Sequence, residues 1–464
     1  MFQGRSKTVI CFTFLFIACL LLCGVADAAS SITLSKKSGP PTSRILVSGR
    51  GFEPNVGVDI YFDTKDEMLV VTNGEGEFDH ARIYAPRAAR PGQHWVTALE
   101  RNSDKGAQRP FLVQTNWSEF HFDADGTRLN PYENALNPNT VESLALKWTY
   151  ATGGYVWSSP AVANGVVYVG SYDGNIYALD ARTGVKLWSY QTDSHEDFSS
   201  LTVGNEVVYV STDHVYALNA KTGALLWSYA TGGFVLSSPA LANGVVYVGS
   251  DDYNVYALNA KTGAKLWSYA TGSYVDSSPT VANGVVYVGS RDYNVYGLNA
   301  STGAKLWSYK TANEVYSSPA VANGVVYVGS NDYNVYGLNA STGAKLWSYT
   351  ARGGVYSSPA VANGVVYVGS GDGNVYALNA HTGTLLWSYA TNGQVDASPA
   401  VANGVVYINS YDGNLYALKA RTGAKLWSYH TGDWVSSSLT SPAVVNGRVY
   451  VGSVNAHVYA FGLK

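Results

Sequence analysis

Eight tryptophans, Trp148, Trp188, Trp227, Trp267, Trp307, Trp347, Trp387 and Trp427, follow one another at intervals of 39 or 40 residues. A chain written in a fixed period of this size folds as a solenoid, a propeller or an array, because each unit can bury its apolar face only against its neighbours. The content of one unit decides which. From Ser317 to Tyr349 the chain reads SSPAVA, then Asn323-Gly324, then VVYVGS, NDYN, VYGLNA, STG and AKLWSY. Asn-Gly is a strong two-residue hairpin signal, because a type I′ turn needs φ > 0 at both positions. Four short β-rich runs joined by tight turns predict an antiparallel four-stranded blade, and no helical spacing competes with that reading.

The residue that opens each first strand counts the blades: Pro160, Leu201, Pro239, Pro279, Pro319, Pro359, Pro399 and Pro442. That makes eight. The last unit ends at HVYAFGLK without a fourth strand, and the missing strand stands at the other end of the repeat region as LALKWTY, Leu144 to Tyr150. The expectation is an all-β, eight-bladed propeller over 144–464, closed by its N-terminal strand, which removes the open edges of the ring. The tryptophans form a structural belt in this reading.

The motif ALDARTGVKLW, Ala178 to Trp188, resembles the tryptophan-docking repeat of the eight-bladed quinoprotein propellers, and the run NPNTVESLALKW, Asn137 to Trp148, resembles the segment that enters the propeller of quinoprotein dehydrogenases. The resemblance implies one of two functions. Some members bind pyrroloquinoline quinone (PQQ) and Ca²⁺ and oxidise alcohols or sugars. Others, similar to the propeller lipoprotein of the outer-membrane β-barrel assembly machinery, bind no cofactor and act as docking platforms. Fold alone does not choose between them. Many alcohol-oxidising members carry a vicinal disulfide at the cofactor, and the blades of the enzymes are usually divergent. Here the blades are near-copies, and Cys11, Cys19 and Cys23 all lie in the N-terminal leader.

That leader has the form of an export signal. Arg5 and Lys7 precede an apolar run, Val9 to Val25, and Ala26-Asp27-Ala28 fits a small-x-small cleavage site, so 1–28 is read as a signal peptide. The expected location is exported: periplasmic, cell-surface or secreted. Residues 30–115 carry strand signals separated by Gly, Pro and Asn and resemble a bacterial Ig-like β-sandwich. Residues 116–143, polar and rich in Asn and Pro, are read as a linker. With a net charge of -3 and no basic run, nucleic acid is not an expected partner.

Comparison of the eight units with each other locates the variation. The turn between first and second strands and the turn between third and fourth are nearly constant. Variation gathers in the connection that leads into each first strand and in the turn between second and third, which alternation of strand direction places on one face. This face supplies the candidate ligand-binding residues Tyr155, Trp157, Phe234, Tyr274, Asp276, Tyr316, Tyr356, Asp396 and Trp434. Trp157 and Trp434 belong to the first and last blades, neighbours across the closure, and the connection holding Trp434 is longer than its counterparts. Asp173, Asp252, Asp292, Asp332, Asp372 and Asp412 recur in the second-to-third turns, where Asp starts turns by binding amides ahead of it. SHED, Ser194 to Asp197, reads as a solvated loop.

The functional expectation is an exported, non-catalytic, monomeric propeller that binds a protein or glycan through its variable face. No catalytic, metal or cofactor residues are assigned. The alternatives are a PQQ/Ca²⁺-dependent dehydrogenase and a purely structural cell-surface protein.

Overall fold

A computed structural model describes residues 29–192, 199–432 and 440–464. The signal peptide, the SHED loop and Trp434 lie outside the described residues. The chain divides into two compact units, Met1–Gln114 and Thr115–Lys464.

In the first unit, the strands Ser31–Leu34, Arg44–Arg50 and Phe78–Tyr84 form one sheet. A five-stranded sheet contains Gly57–Phe62, Gly92–Glu100 and Gly106–Val113. Ile32, Ile45 and Val47 of the first share a core with Ile60, Phe62, Val96 and Phe111 of the second. Alternating residues on each strand supply this β-sandwich core.

The second unit is the expected ring. Seven antiparallel blades of four strands follow one another in chain order, the seventh with Leu129–Asn130 added as a fifth, parallel strand, and the eighth joins Ala443–Val445, Arg448–Ser453 and His457–Leu463 to the N-terminal strand Leu144–Ala151. The Asn-Gly turns adopt the required geometry, as at Asn323 (φ 51°) and Gly324 (φ 77°).

Two contacts repeat at the blade junctions. On the outside, the indole N–H of each fourth-strand Trp donates to a backbone carbonyl of the next blade: Trp148 to Ala181, Trp188 to Ala220, Trp227 to Ala260, Trp267 to Ala300, Trp307 to Ala340, Trp347 to Ala380 and Trp387 to Ala420, at 2.9–3.1 Å. The ring lies against the Gly of the next third-to-fourth turn. A Cβ on Gly343 would stand 2.5 Å from Trp307, and Gly343 has φ +71°, so both space and backbone demand glycine there. On the inside, the second Ser of each lead-in donates its backbone N–H to the hydroxyl of the next: Ser159 to Ser200, Ser238, Ser278, Ser318, Ser358, Ser398, Ser441 and back to Ser159, at 2.8–3.1 Å. These eight bonds form a closed circle, and each satisfies an N–H buried from water.

The seam differs. The last blade has no third-to-fourth turn, so Trp427 has no carbonyl to meet and packs edge-on against Phe461 at 5.2 Å. The Tyr407 hydroxyl is likewise buried without a partner, whereas its counterpart Tyr327 donates to Ala380.

Residues 116–143, read from sequence as a linker, are instead part of the ring. The innermost strand of a blade pairs on one side only, leaving main-chain groups that face the channel. The segment 117–130 satisfies them blade by blade. Trp117 exchanges two backbone bonds with Val162; the carbonyls of Ser118, Ala124, Asp125, Thr127 and Arg128 accept from Val203, Val281, Val321, Val361 and Val401; and the Asn130 amide donates to the Val444 carbonyl. At the remaining blade, the Leu241 N–H donates to the Glu119 carboxyl. The sequence reading failed here because the segment is polar and turn-rich. Much of its main chain is satisfied by exposed strand edges.

Two predictions follow from the junctions. Trp307→Phe leaves the Ala340 carbonyl one donor short and lowers stability by about 1–3 kcal/mol, while Trp427→Phe, which breaks no such bond, costs less; thermal midpoints of residues 29–464 check the difference. Ser278→Ala orphans the buried Ser238 N–H and costs about 1–3 kcal/mol by the same measurement.

Candidate functional site

Among the described residues, six lead-in connections each bury one Val between blades: Val156, Val235, Val275, Val315, Val355 and Val395 are at most 1% exposed. This anchor splits the candidate residues into two registers that the sequence had grouped together. The residue after the Val, namely Trp157, Leu236, Asp276, Tyr316, Tyr356 or Asp396, is half-buried. The residue before it points outward: Tyr155, Phe234 and Tyr274 are exposed.

The half-buried register interlocks with the second-to-third turns. Within a blade, Trp157 meets Tyr172 edge-on at 4.8 Å, Asp276 accepts from Arg291 at 2.6 Å and Asp396 accepts from the Tyr411 hydroxyl at 2.7 Å. Between blades, Arg291 lies over Tyr316 at 4.9 Å, Tyr316 meets Tyr356 at 5.2 Å, and Asn331 hydrogen-bonds Tyr356. Two sets of variable residues thus merge into one belt.

The belt is electrostatically uneven. Asp251 and Asp276 come from adjacent blades and hydrogen-bond each other; desolvation and then the neighbouring Asp276 charge push the Asp251 carboxyl up to about 7. Burial also raises the Asp396 carboxyl, against the hydrogen bond from Tyr411. Arg291, between the faces of Tyr274 and Tyr316, supplies the balancing cation.

Three residues outside the sequence reading belong to this face. Tyr253, Tyr293 and Tyr333 are 40–50% exposed and sit at φ 74–75°, where the corresponding turns of other blades carry Gly174, Gly373 and Gly413. A bulky residue in the left-handed region is strained. The signal was present in the sequence as DYN against DGN. With Phe234 and Tyr274, which meets Tyr253 at 5.2 Å, they give blades three to five an exposed aromatic rim.

The turn aspartates have structural work. Asp252 accepts from Gly232 N, Asn254 N and the Tyr256 hydroxyl, and Asp332 accepts from Ala312 N, Asn334 N and the Tyr336 hydroxyl. Among the described residues no group of three or more His, Cys, Asp or Glu could hold a metal ion. The Glu119 and Asp123 carboxyls belong to the segment 117–130, which lies along the inner strands of the ring.

Comparison with known proteins follows this geometry. Residues 141–209, 198–278, 273–356 and 350–464 match the model of a family described as outer membrane protein assembly factor BamB. A 1-butanol dehydrogenase (cytochrome c) of Thauera butanivorans is 33% identical over 82 residues, 17% of this chain and 12% of that protein. The chain spans only 12–14% of the length of the three curated relatives it matches. Among solved structures, the quinohemoprotein alcohol dehydrogenase of Comamonas testosteroni superposes with a TM-score of 0.65 at 18% identity, covering 75% of this chain and 80% of the other. BamB of Moraxella catarrhalis gives 0.58 at 20% identity, covering 69% and 99%. At these identities the structures share the fold.

The rim and belt generate two predictions. Tyr293→Gly relieves the left-handed strain and is stability-neutral or stabilising by up to about 1 kcal/mol, read as a thermal midpoint. Asp276→Asn removes the neighbouring charge, so the Asp251 carboxyl, followed by NMR, titrates below its wild-type value of about 7.

Proposed function

Because the chain belongs to the family of the outer membrane protein assembly factor BamB, a family of PQQ-type propellers, we propose that it is an exported, non-catalytic docking platform that binds a protein of the bacterial envelope through its variable face. One observation carries the reading. The blades are near-copies wherever they pack, yet the lead-ins and second-to-third turns differ from blade to blade and join into one belt with an exposed aromatic rim. Tyrosines with apolar bodies and polar tips, around a few charges, are the side chains that dominate protein-binding surfaces. Strain retained at Tyr253, Tyr293 and Tyr333 supports a use for those side chains beyond folding.

Export rests on the leader sequence and on the family's association with the outer membrane. No helix among the described residues is long and apolar enough to cross a membrane. A glycan would use the same tyrosines as stacking platforms, but the charged Asp251–Asp276–Arg291 cluster favours a protein surface. A pair of Trp157 and Trp434 at the seam remains part of the proposal; Trp157 has a buried indole nitrogen without a partner.

The dehydrogenase reading draws on the quinoprotein relatives. The docking reading is favoured by blades that are near-copies of one another and by cysteines confined to the N-terminal leader.

Photo-crosslinkers placed at Tyr274 and Tyr333, with Asn323 on the opposite face as control, test the proposal in envelope preparations. Adducts with an outer-membrane assembly component from the two tyrosine sites alone are expected, and the triple change of Phe234, Tyr253 and Tyr293 to Ser abolishes them with the thermal midpoint nearly unchanged. Equal labelling from both faces, or uptake of PQQ with Ca²⁺ and turnover of alcohols, overturns it.

A further inference from the structure

The segment 117–130 visits all eight blades, but unevenly. From Ala124 to Arg128 it meets four consecutive blades through its own carbonyls. Between Ser118 and Ala124 it makes an excursion, and there the third blade is met only through the Glu119 side chain. The excursion carries His121, which is buried, and Glu119 and Asp123, which are partly buried. Arg128, fully buried, has no carboxylate partner; it donates to the carbonyls of Pro399 (2.6 Å) and Phe120, with the Phe120 ring 4.6 Å from its guanidinium. His121 Nε2 is buried without a partner. Burying charge and unpaired polar atoms is costly. The blades around the segment are held by regular strand pairing over largely apolar cores; the segment itself combines costly burial with about one bond per blade. Regions of this kind are the first to open.

We propose that 117–130 is a releasable strap, an intramolecular ligand of a strand-binding channel, whose departure exposes the inner edges of the blades to an extended polypeptide segment of the same hydrogen-bonding character. The groups that would receive that segment are the N–H groups of Val162, Val203, Leu241, Val281, Val321, Val361 and Val401. Strand-edge bonding of this sort reads the main chain, so the ligand class is an extended peptide.

The strap's titratable groups give its release a pH dependence. Glu119 faces the Leu241 N–H and Asp123, and burial raises it to about 8; Asp123 faces Thr127, the Gly126 N–H and Asp125, and burial raises it to about 6. A carboxyl whose pKa is raised in the engaged state stabilises that state fully below its released value, and loses the contribution as pH rises through the engaged value. His121, faced by Arg128, is lowered by burial, so it opposes engagement only below its released value of 6.5. Arg128, faced by Trp117, Phe120 and backbone carbonyls, is lowered to about 9 and changes above that. Between about pH 6.5 and 8 Glu119 is the principal group that acts, and release grows with pH on the order of tenfold.

Hydrogen exchange on residues 29–464 tests this. After correction for intrinsic rates, the amides of Val281, Val321, Val361 and Val401 are expected to exchange on the order of tenfold faster at about pH 8 than at about pH 6.5, with second-strand amides unchanged. Glu119→Gln, nearly isosteric, abolishes the rise. A fluorescent synthetic peptide of residues 115–131 bearing Glu119→Gln, whose own binding lacks the Glu119 titration, is taken up by the wild-type chain at the higher pH and excluded at the lower, while the Glu119→Gln chain excludes it at both. Strap-facing amides that exchange at the rate of second-strand amides at both pH values, or failure of the wild-type chain to take up the peptide, overturns the proposal. Neither readout depends on the variable face, so its failure is separate from failure of the docking proposal.

Discussion

Each junction in this ring hangs on one backbone carbonyl at the base of a third-to-fourth turn. The Trp indole of the preceding blade donates to it, and so does a second-strand Tyr hydroxyl, as Trp307 and Tyr287 both do to Ala340. The glycine of the same turn lets the indole lie flat against the backbone. Burying an aromatic side chain of this size contributes on the order of a few kcal/mol, beyond the bond. Donors, acceptor and glycine all sit within one repeat, so copying the repeat copies the junction. The inner circle of serines does the same nearer the axis, with a backbone donor and a hydroxyl acceptor from equivalent positions. A ring made this way needs special treatment only at the seam, where the chain ends before the turn and Phe461 stands in for it.

The scaffold's self-sufficiency is what leaves the lead-ins free to differ. One Val in each is committed to the inter-blade core, and a strand period of two sends its neighbours to other environments. The residue after the Val turns to the belt and the residue before it turns to the rim. The second-to-third turn is similarly divided: its Asp is saturated by amides and a Tyr hydroxyl, while the residue before that Asp joins the belt. Asymmetry in this protein is therefore confined to positions that carry no junction contact. A symmetric ring presents an asymmetric surface without weakening itself.

Much of this was legible because the repeat reports on packing. Trp spacing, Asn-Gly turns and the misplaced eighth strand state the blade count, the turn geometry and the closure. Belt positions such as Asp276, Tyr316 and Tyr356 were visible as differences among copies. Their separation from Tyr155, Phe234 and Tyr274 was not, since registers one residue either side of a buried Val look alike until the Val is located. Tyr253, Tyr293 and Tyr333 were missed because strand propensity makes Tyr unremarkable in a β-rich chain; the contrast of DYN with DGN pointed to them, and the backbone angle shows that Gly would sit there more easily. The strap was missed for a different reason. Its contacts are carbonyl to amide, and main-chain bonds leave no mark on residue identity.

The same fact explains where the strap's ionisable side chains fall. A single strand crossing eight equivalent edges cannot match them all, because its own carbonyls alternate in direction while the edges recur by rotation. Over blades four to seven the mismatch is absorbed by skipping Gly126, whose φ of +72° reverses the backbone locally. Over blade three it is too large, and the chain loops out between Ser118 and Ala124. The Leu241 N–H then faces a gap that only a side-chain acceptor can fill. Glu119 fills it, and at that one blade the bond depends on a titratable carboxyl in place of a carbonyl that no pH alters. Geometry, by leaving blades three and eight to the side chains of Glu119 and Asn130, places the strap's protonation-sensitive bond at blade three, where the strap is least held.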